Sequence, residues 1–499
     1  MNKKKKVLIG CTVALVLLCC VAVVLHVSHT RRLAEEAERL RIYNETYLVV
    51  DGKEYRRDSV KLDLSGEQIS QPEMFRELTA LQELDLRGTG IDVQQYETLQ
   101  AALPACTIFW SVPFQNGYLD NTVQTLTLEK LTEDDLAAFA YLENLTSVNA
   151  DLCRDYDALL ALNAAYPDLA VTYAVPIGEQ SFAQDVESIT VVDPDAAELM
   201  TYLEFLPTLR NVTLEGTLPS TEKLITLKEA FPNVTFLWNF NVLGVETNSL
   251  AEFLNLSNIR MDNTVELESM LPCFYNLSKV EMINCGLSNS AMEKLNLSHR
   301  NTSFVWKVSV TGVKVRTDIK YFMLHKYQIK QVGDLSNLRY CTDIEVIDFG
   351  HYGVRDISFI EYLPNLRYLL MLETYLSDLT AVGNCTSLEF AELSGTPITD
   401  FWPLTNLTNL KGLNLSYTPT YGSGLGKFGD ITPLLQMTWL ERLWLANSRL
   451  GDEGRAIFDD ALPNVEMVFY SASSTDRGWR YAPGYFEMRD ILGLPYMVA

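Results

Sequence analysis

The carboxy-terminal part of the chain repeats one short apolar pattern, L-x-x-L-x-L, at a nearly constant interval. Its copies begin at Ile344, Leu366, Leu388, Leu410 and Leu440, so the intervals are 22, 22, 22 and 30 residues. Alternating apolar residues predict a short β-strand with one buried side. One such strand cannot bury that side alone, whereas a stack of neighbouring copies can. The pattern therefore predicts a solenoid of strands that share a core.

The segment Ile398–Leu415, ITDFWPLTNLTNLKGLNL, resembles the 22-residue leucine-rich repeat of bacterial internalins. The resemblance extends over 334–470. It departs from the family in an eight-residue insertion within 417–430 and in a helix that we expect at Asp452–Ala461. The resemblance implies an α/β leucine-rich-repeat solenoid, with a parallel β-sheet on the concave face and short helices or 3-10 turns outside. We expect 471–499, which is dense in apolar residues, to cap the open end of this solenoid or to form a separate contact surface.

The preceding region, 58–333, repeats more loosely, with a super-repeat of about 65 residues. Its marker is an aromatic residue in an alternating strand, found at Trp110, Tyr173, Trp238 and Trp306. A glycine suited to a turn follows each strand, at Gly117, Gly178, Gly244 and Gly312. We expect one continuous irregular solenoid over 58–470. The alternative is two solenoid blocks with a joint near 312–335.

The amino terminus has the composition of a membrane anchor. Lys3–Lys6 precede an uncharged apolar run, Val7–Val27, and about 20 such residues span a bilayer as a helix. The lysines are expected to stay inside, which predicts a single-pass protein of the cell membrane with its carboxy-terminal ectodomain outside. We expect the anchor in 1–29 and a helical stalk or amino-terminal cap in 30–57. A cleaved signal peptide is the alternative.

The charge of the chain restricts its partners. The 499 residues include 64 acidic and 40 basic side chains, which gives a net charge of −24. A nucleic-acid backbone requires a basic surface, so nucleic acid is not expected as a partner. The hydrophobic share of 47% is too high for a disordered chain. A protein or a glycan is the expected ligand.

The sequence contains no pattern that we recognise as catalytic or metal-binding. His299, His325 and His351 are widely separated, and neither a G-x-S-x-G motif nor a C-x-x-C pair occurs. We therefore expect no enzymatic activity, no metal and no cofactor. Cys341 and Cys385 occupy the same repeat position and are expected to be buried hydrophobic residues. A disulfide remains possible among the remaining cysteines, Cys153, Cys273 and Cys285.

Candidate binding residues follow from the repeat geometry. The residue between the last two apolar positions of each copy should point outward from the concave sheet face. We identify seven candidate contacts on or beside that face: Asp348, Leu370, Leu372, Glu392, Asn414, Tyr417 and Trp444. Exposed Leu370, Leu372 and Trp444 would favour burial by a partner. Alternatively, several of these side chains pack within the repeats or against the cap.

Three hypotheses for function follow. The first is a membrane-anchored extracellular scaffold that binds a protein or a glycan at the bacterial surface, as the internalin resemblance implies. The second is a structural or assembly component of the cell envelope. The third is an enzyme whose site has no recognisable motif.

Overall fold

The structure is a computed structural model that describes residues 3–418, 430–448, 450–470 and 484–495. Most of the predicted insertion and the first part of the predicted cap lie outside the described residues. The chain divides into two compact units, Met1–Phe236 and Leu237–Ala499. The joint that the sequence suggested near 312–335 falls inside the second unit.

The first unit begins with one long helix, α1 (Lys3–Thr46), which continues through the expected boundary between anchor and stalk. From Leu8 to Val27 its side chains are exposed. Within the described residues it is the one helix that is long and apolar enough to cross a membrane. Arg31 and Glu35 form an ion pair one helical turn apart, at 3.2 Å. After its four lysines the helix is therefore apolar as far as Val27 and charged from Arg31 onward.

The strands of the first unit form short parallel sheets separated by hairpins. They are β1 (Tyr47–Val50), β2 (Lys53–Arg56), β3 (Lys61–Asp63), β4 (Glu83–Leu86), β5 (Thr107–Phe114), β6 (Gly117–Asp120), β7 (Thr125–Thr127), β8 (Ser147–Asn149), β9 (Ala170–Thr172), β10 (Ala174–Ile177), β11 (Gln180–Ala183), β12 (Ser188–Val192), β13 (Asn211–Glu215) and β14 (Thr235–Leu237). The parallel sets are β3-β4-β5, β7-β8-β9 and β12-β13-β14, and the antiparallel pairs are β1/β2, β5/β6 and β10/β11. The helices are α2 (Val93–Ala102), α3 (Tyr156–Ala165), α4 (Ala196–Tyr202) and α5 (Thr221–Ala230), with 3-10 turns at Pro72–Glu77, Glu133–Tyr141 and Leu203–Phe205.

The second unit contains a longer parallel sheet. Its first strands are β15 (Asn239–Val242), β16 (Val245–Asn248), β17 (Phe253–Asn255), β18 (Lys279–Glu281), β19 (Ser303–Val305), β20 (Lys307–Val310) and β21 (Val313–Arg316). A seven-stranded parallel sheet follows, formed by β22 (Tyr321–Met323), β23 (Val346–Asp348), β24 (Tyr368–Leu370), β25 (Phe390–Glu392), β26 (Gly412–Asn414), β27 (Arg442–Trp444) and β28 (Glu466–Val468). The helices are α6 (Val265–Met270), α7 (Asn289–Ser298), α8 (Thr380–Gly383), α9 (Thr432–Leu435), α10 (Asp452–Ala461) and α11 (Tyr485–Leu492), with 3-10 turns at Leu271–Cys273, Ser336–Tyr340, Ser358–Tyr362 and Trp402–Asn406.

These elements establish the predicted fold class: the chain is an α/β leucine-rich-repeat protein with parallel strands, short return helices and one long apolar amino-terminal helix. In the carboxy-terminal block the middle residues of neighbouring strands, such as Ile347, Leu369 and Leu413, are fully buried in one core. The helix predicted at Asp452–Ala461 is confirmed with those bounds. Cys341 and Cys385 are buried as expected, and burial raises the pKa of each thiol to about 12.

The super-repeat of the amino-terminal body corresponds to a repeated hairpin. Each marker aromatic ends or directly follows a parallel strand, and an antiparallel pair comes next: β5/β6, β10/β11, β15/β16 and β20/β21. Positive φ occurs at Gly178, Gly244 and Gly312, as the turns were expected to require. The expectation was wrong at Gly117, which begins β6, because Gln115 takes the positive φ there instead.

A polar residue eleven positions after each marker aromatic hydrogen-bonds to the backbone of that aromatic residue in these hairpins. The side-chain oxygens of Asn121, Gln184, Ser249 and Thr317 accept from the backbone N–H of Trp110, Tyr173, Trp238 and Trp306, at 2.9–3.3 Å. The backbone N–H of the same four residues donates to the carbonyl oxygen of the aromatic residue. Because the aromatic residue is buried, its backbone groups need such partners. The apolar pattern of the sequence does not indicate this pairing.

Thr317→Val tests the role of the polar partner. The change keeps the shape of the side chain but leaves the Trp306 N–H without its side-chain acceptor, and Thr317 is only 5% exposed. We expect the free energy of unfolding to fall by about 1–3 kcal/mol, measured by chemical denaturation. Thr342→Val, at an exposed position, is the matched control and should change it by less than about 0.5 kcal/mol. Equal effects of the two changes would contradict this role.

Candidate binding face

The sheet β22–β28 aligns the predicted outward column in register. Asp348 pairs with Leu370, Leu370 with Glu392, Glu392 with Asn414, and Asn414 with Trp444. These side chains lie on the side of the sheet opposite the main core. We call this side the outer sheet face, formed by the first and last residues of five strands: Val346, Asp348, Tyr368, Leu370, Phe390, Glu392, Gly412, Asn414, Arg442 and Trp444.

The expected exposure of this column is wrong at four positions. Leu370, Glu392, Asn414 and Trp444 are 7%, 2%, 5% and 1% exposed. Leu370 and Trp444 are covered because they belong to a second apolar cluster, separate from the main core, that includes residues of α11. Glu392 and Asn414 hydrogen-bond to each other within the face.

Helix α11 packs on the outer sheet face through one side. Tyr485, Met488 and Leu492 are buried and join Tyr368 and Leu370 in the second cluster. The helix follows Gly484 and ends at Gly493, whose positive φ of 63° terminates it. A helix of eight residues is not stable alone in water, so α11 depends on this packing. The described part of 471–499 therefore lies on the sheet face. The sequence predicted that this segment caps the open end of the stack or forms a separate contact surface.

An ion pair fixes α11 to the sheet. Arg367 donates from Nη1 and Nη2 to the two carboxylate oxygens of Glu487, at 2.5 and 2.9 Å, and from Nε to Glu389 at 2.6 Å. The Tyr368 hydroxyl also donates to Glu487, at 3.2 Å. These hydrogen bonds, chiefly that from Arg367, lower the pKa of Glu487. Because this contact is bidentate, it fixes the orientation of the two side chains in addition to pairing their charges.

The first residues of the strands form a column on the same face that the sequence analysis missed. Tyr368, Phe390 and Gly412 are in register within it. Gly412 is required there, because a Cβ at this position would lie 2.7 Å from the Phe390 ring. The Phe390 and Trp444 rings meet edge to face with their centroids 6.0 Å apart. The repeat pattern itself could have identified this column, since the residue before the second leucine points outward as well.

Glu392 is a buried carboxyl group with incomplete hydrogen bonding. Asn414 Nδ2 donates to its Oε2 at 3.0 Å, while Oε1 has no partner within the described part of the chain. Burial raises the pKa of Glu392 to about 7. Burial also raises the pKa of Asp348, whose Oδ1 accepts from the Gly350 N–H at 3.0 Å. The two carboxyl groups therefore favour their neutral forms more than ordinary acids do.

The remaining candidates lie at the margin of the face. Leu372 is half-buried and begins the turn after β24. Tyr417 is 57% exposed and has a φ of 59°. It occupies the same turn position as His351 and Glu373, which also have positive φ and bond to each other at 3.1 Å. Tyr417 thus lies at the edge where the strands end and not on the sheet itself.

The outer sheet face has the chemistry of a contact surface. Its side chains are aromatic, aliphatic, amide and carboxyl groups, together with an arginine. No group of three His, Cys, Asp or Glu side chains arranged to hold a metal ion occurs among the residues that the structure describes. In the structure this face packs against the apolar side of α11, and Arg367 beside it binds the carboxylate of Glu487.

Comparison with known proteins finds similarity at the level of structure. No family model and no curated protein matches the chain. Among solved structures, the internalin InlF of Listeria monocytogenes is 16% identical, covers 84% of each chain and has a TM-score of 0.23. A leucine-rich-repeat protein of Leptospira interrogans is 15% identical over 83% of this chain and 96% of its own, with a TM-score of 0.23. TLR13, solved with ssRNA13, is 15% identical over 82% and 73%, with a TM-score of 0.24. We transfer no residue role or ligand from them, and the strand ladder of this chain itself establishes the leucine-rich-repeat fold.

The pKa of Glu392 predicts how stability depends on pH. A folded-state pKa of about 7, above the ordinary value of 4.5, means that folding favours the protonated form. The contribution is fully present below about pH 4.5 and is lost as the pH rises through 7. Glu392→Gln removes this dependence. We therefore expect the difference in free energy of unfolding, variant minus wild type, to be about 3 kcal/mol larger at pH 8 than at pH 4.5.

Denaturant unfolding at the two pH values measures this difference. Glu453→Gln, at an exposed position on α10, is the control and should change stability equally at both. A Glu392→Gln effect that does not depend on pH would show that folding does not raise the pKa of this carboxyl group.

Proposed function

We propose that this chain is a single-pass membrane protein whose extracellular leucine-rich repeats bind a protein or glycan partner without catalysing a reaction. One observation carries the proposal: the outer sheet face holds a second apolar cluster that the main core does not include. Apolar side chains on the outer side of a sheet are stabilised only when something covers them. Helix α11 already supplies part of this cover, so on this proposal a partner binds the face by taking the place of an existing apolar contact.

The composition of the face favours recognition. Tyr368, Trp444 and Arg367 are of the residue types that contribute most to binding at protein interfaces. Tyr368 lies on β24 with Arg367 directly before it, and Trp444 lies on β27, so a partner that contacts all three must extend across four strands. We propose the outer sheet face as the contact surface, with Asp348, Leu370, Glu392, Asn414 and Trp444 on it. Leu372 and Tyr417 would form its margin.

The exposed apolar surface of α1 supports the membrane assignment. Side chains such as Leu8, Leu18 and Val24 are 71%, 67% and 67% exposed. One window of this helix has a mean hydropathy of 3.0, and a bilayer would bury such a surface. The four lysines before it favour a cytoplasmic amino terminus. The acidic excess of the chain disfavours nucleic acid as the partner.

A second candidate is a structural or assembly component of the cell envelope. The observation that favours it is that α11 already covers part of the outer sheet face. In that case the face would serve internal stability, and contacts with other envelope components would use other surfaces.

Residue-specific labelling of intact cells tests the topology. We expect a membrane-impermeant maleimide to label Glu453→Cys, because this position is exposed in the ectodomain. Lys4→Cys is the matched variant and should react only after the cells are lysed. The opposite pattern would show that the ectodomain is inside the cell.

Proximity labelling from the full chain in its native host tests partner binding. We expect Leu370→Asp to lose at least tenfold of the labelling of a specific partner, because the carboxylate would replace an apolar contact of the face. Leu297→Asp, which changes a leucine that is 63% exposed and outside the face, should leave labelling intact. If labelling is lost only in Leu297→Asp, or if both variants keep it, the face is excluded as the contact surface. A partner from the cell's own envelope would favour the structural candidate.

A further inference from the structure

We propose that the outer sheet face is a helix-binding groove that α11 occupies as an intramolecular ligand. On this proposal, which rests on the proposed binding function, the partner is an amphipathic helix with one carboxylate, and it binds by displacing α11.

The buried side of α11 defines the apolar pattern of that partner. Tyr485, Met488 and Leu492 are 2%, 1% and 4% exposed and stand at positions i, i+3 and i+7. These positions share one side of a helix, which is the usual pattern for a helix bound in a groove. Phe486 lies on the other side and is 48% exposed. The groove therefore selects three apolar anchors along two turns of helix.

The charges beside the groove define a polar requirement. Arg367 is the cation that binds α11, and it contacts both carboxylate oxygens of Glu487. Lys411 and Arg442 lie nearby but bond to Glu389 at 2.9 Å and to Glu466 at 2.7 Å. A partner helix therefore needs a carboxylate two positions after its first apolar anchor. A partner with a lysine there would place two cations together.

The fit of α11 leaves room for a better ligand. Among the residues that the structure describes, a cavity of about 180 Å³ lies beside its first turn, lined by residues that include Phe390, Gly412, Arg442 and Gly484. Gly484 has no side chain to fill this space, and a Cβ there would lie 2.9 Å from the Tyr368 ring. A partner helix that follows a slightly different path can place a larger side chain in the cavity. Such a helix would bury more apolar surface than α11 and could compete with it.

A peptide-binding experiment with the full chain in detergent micelles tests the proposal. The probe is a fluorescent peptide with the sequence of residues 484–495, GYFEMRDILGLP. In the wild-type chain α11 occupies the groove, so the peptide should bind weakly. Glu487→Lys places a cation against Arg367 and releases α11, so we expect the peptide to bind this variant at least tenfold more tightly. Glu453→Lys makes the same charge change on α10 and should bind like the wild type.

A charge reversal checks the mode of binding. In the double variant Arg367→Glu with Glu487→Lys, α11 regains an ion pair of opposite sense, so a probe peptide that carries lysine in place of Glu487 should bind weakly. Glu487→Gln removes the charge without repulsion and should give intermediate affinity, which provides a milder test if Glu487→Lys impairs folding. Circular dichroism checks that each variant is folded.

Three outcomes would overturn the proposal. If folded Glu487→Lys does not bind the peptide, the face does not accept a helix from outside. If all variants bind it equally, α11 does not occlude the site. If Glu487→Lys forms dimers that dissociate when the peptide is added, the groove binds a second copy of the chain and not a partner helix. Failure of this proposal can be distinguished from failure of the proposed function. If proximity labelling captures a partner that the peptide does not displace, the proposed function stands and the groove is excluded as its binding site.

Discussion

Every strand of the carboxy-terminal block depends on its neighbours for burial. Each strand is three residues long, and its middle residue, such as Leu369 or Leu413, points into a core that no single repeat can enclose. Parallel pairing holds these residues in register, and the spacing between strands of about 4.8 Å brings the outward side chains into contact as well. The outer sheet face is thus a direct consequence of the shared core. The residues of this face can be substituted without loss of the fold only if the inward-pointing residues of the strands are kept.

The amino-terminal body meets the same constraint with regular interruptions. After every third parallel strand the chain turns into a hairpin, and the polar residue eleven positions after the aromatic residue satisfies the backbone of that aromatic residue. An interrupted parallel sheet would otherwise leave buried donors and acceptors without partners. The four related sites, from Asn121 to Thr317, use different side chains for one purpose. Because the four side chains form the same hydrogen bond but are different residue types, the leucine pattern alone did not reveal these sites.

The sequence predicted the elements that depend on local periodicity. The alternation of apolar residues identified the strands after Ile344 and the in-register column from Asp348 to Trp444. Helix α10 was predicted as an extension of the final repeat. The repeat pattern missed β22, because Tyr321–Met323 lies among lysines and aromatic residues that looked like a joint. It also assumed that the outward column was exposed. Leu370 and Trp444 belong to a cluster that also includes α11, more than 40 residues after Trp444. A contact between distant segments leaves no periodic signal, so the repeat pattern could not indicate that this cluster is buried.

The central claim is that α11 is a separable cover on a sheet that is stable as a unit. Amide hydrogen exchange of the full chain, followed by mass spectrometry, measures this most directly. We expect the amides of β23–β27 to exchange slowly and together, because their strands share one core, while the amides of α11 exchange much faster through local opening. Exchange of α11 as slow as that of the strands would contradict the claim, because the helix would then be an integral part of the fold.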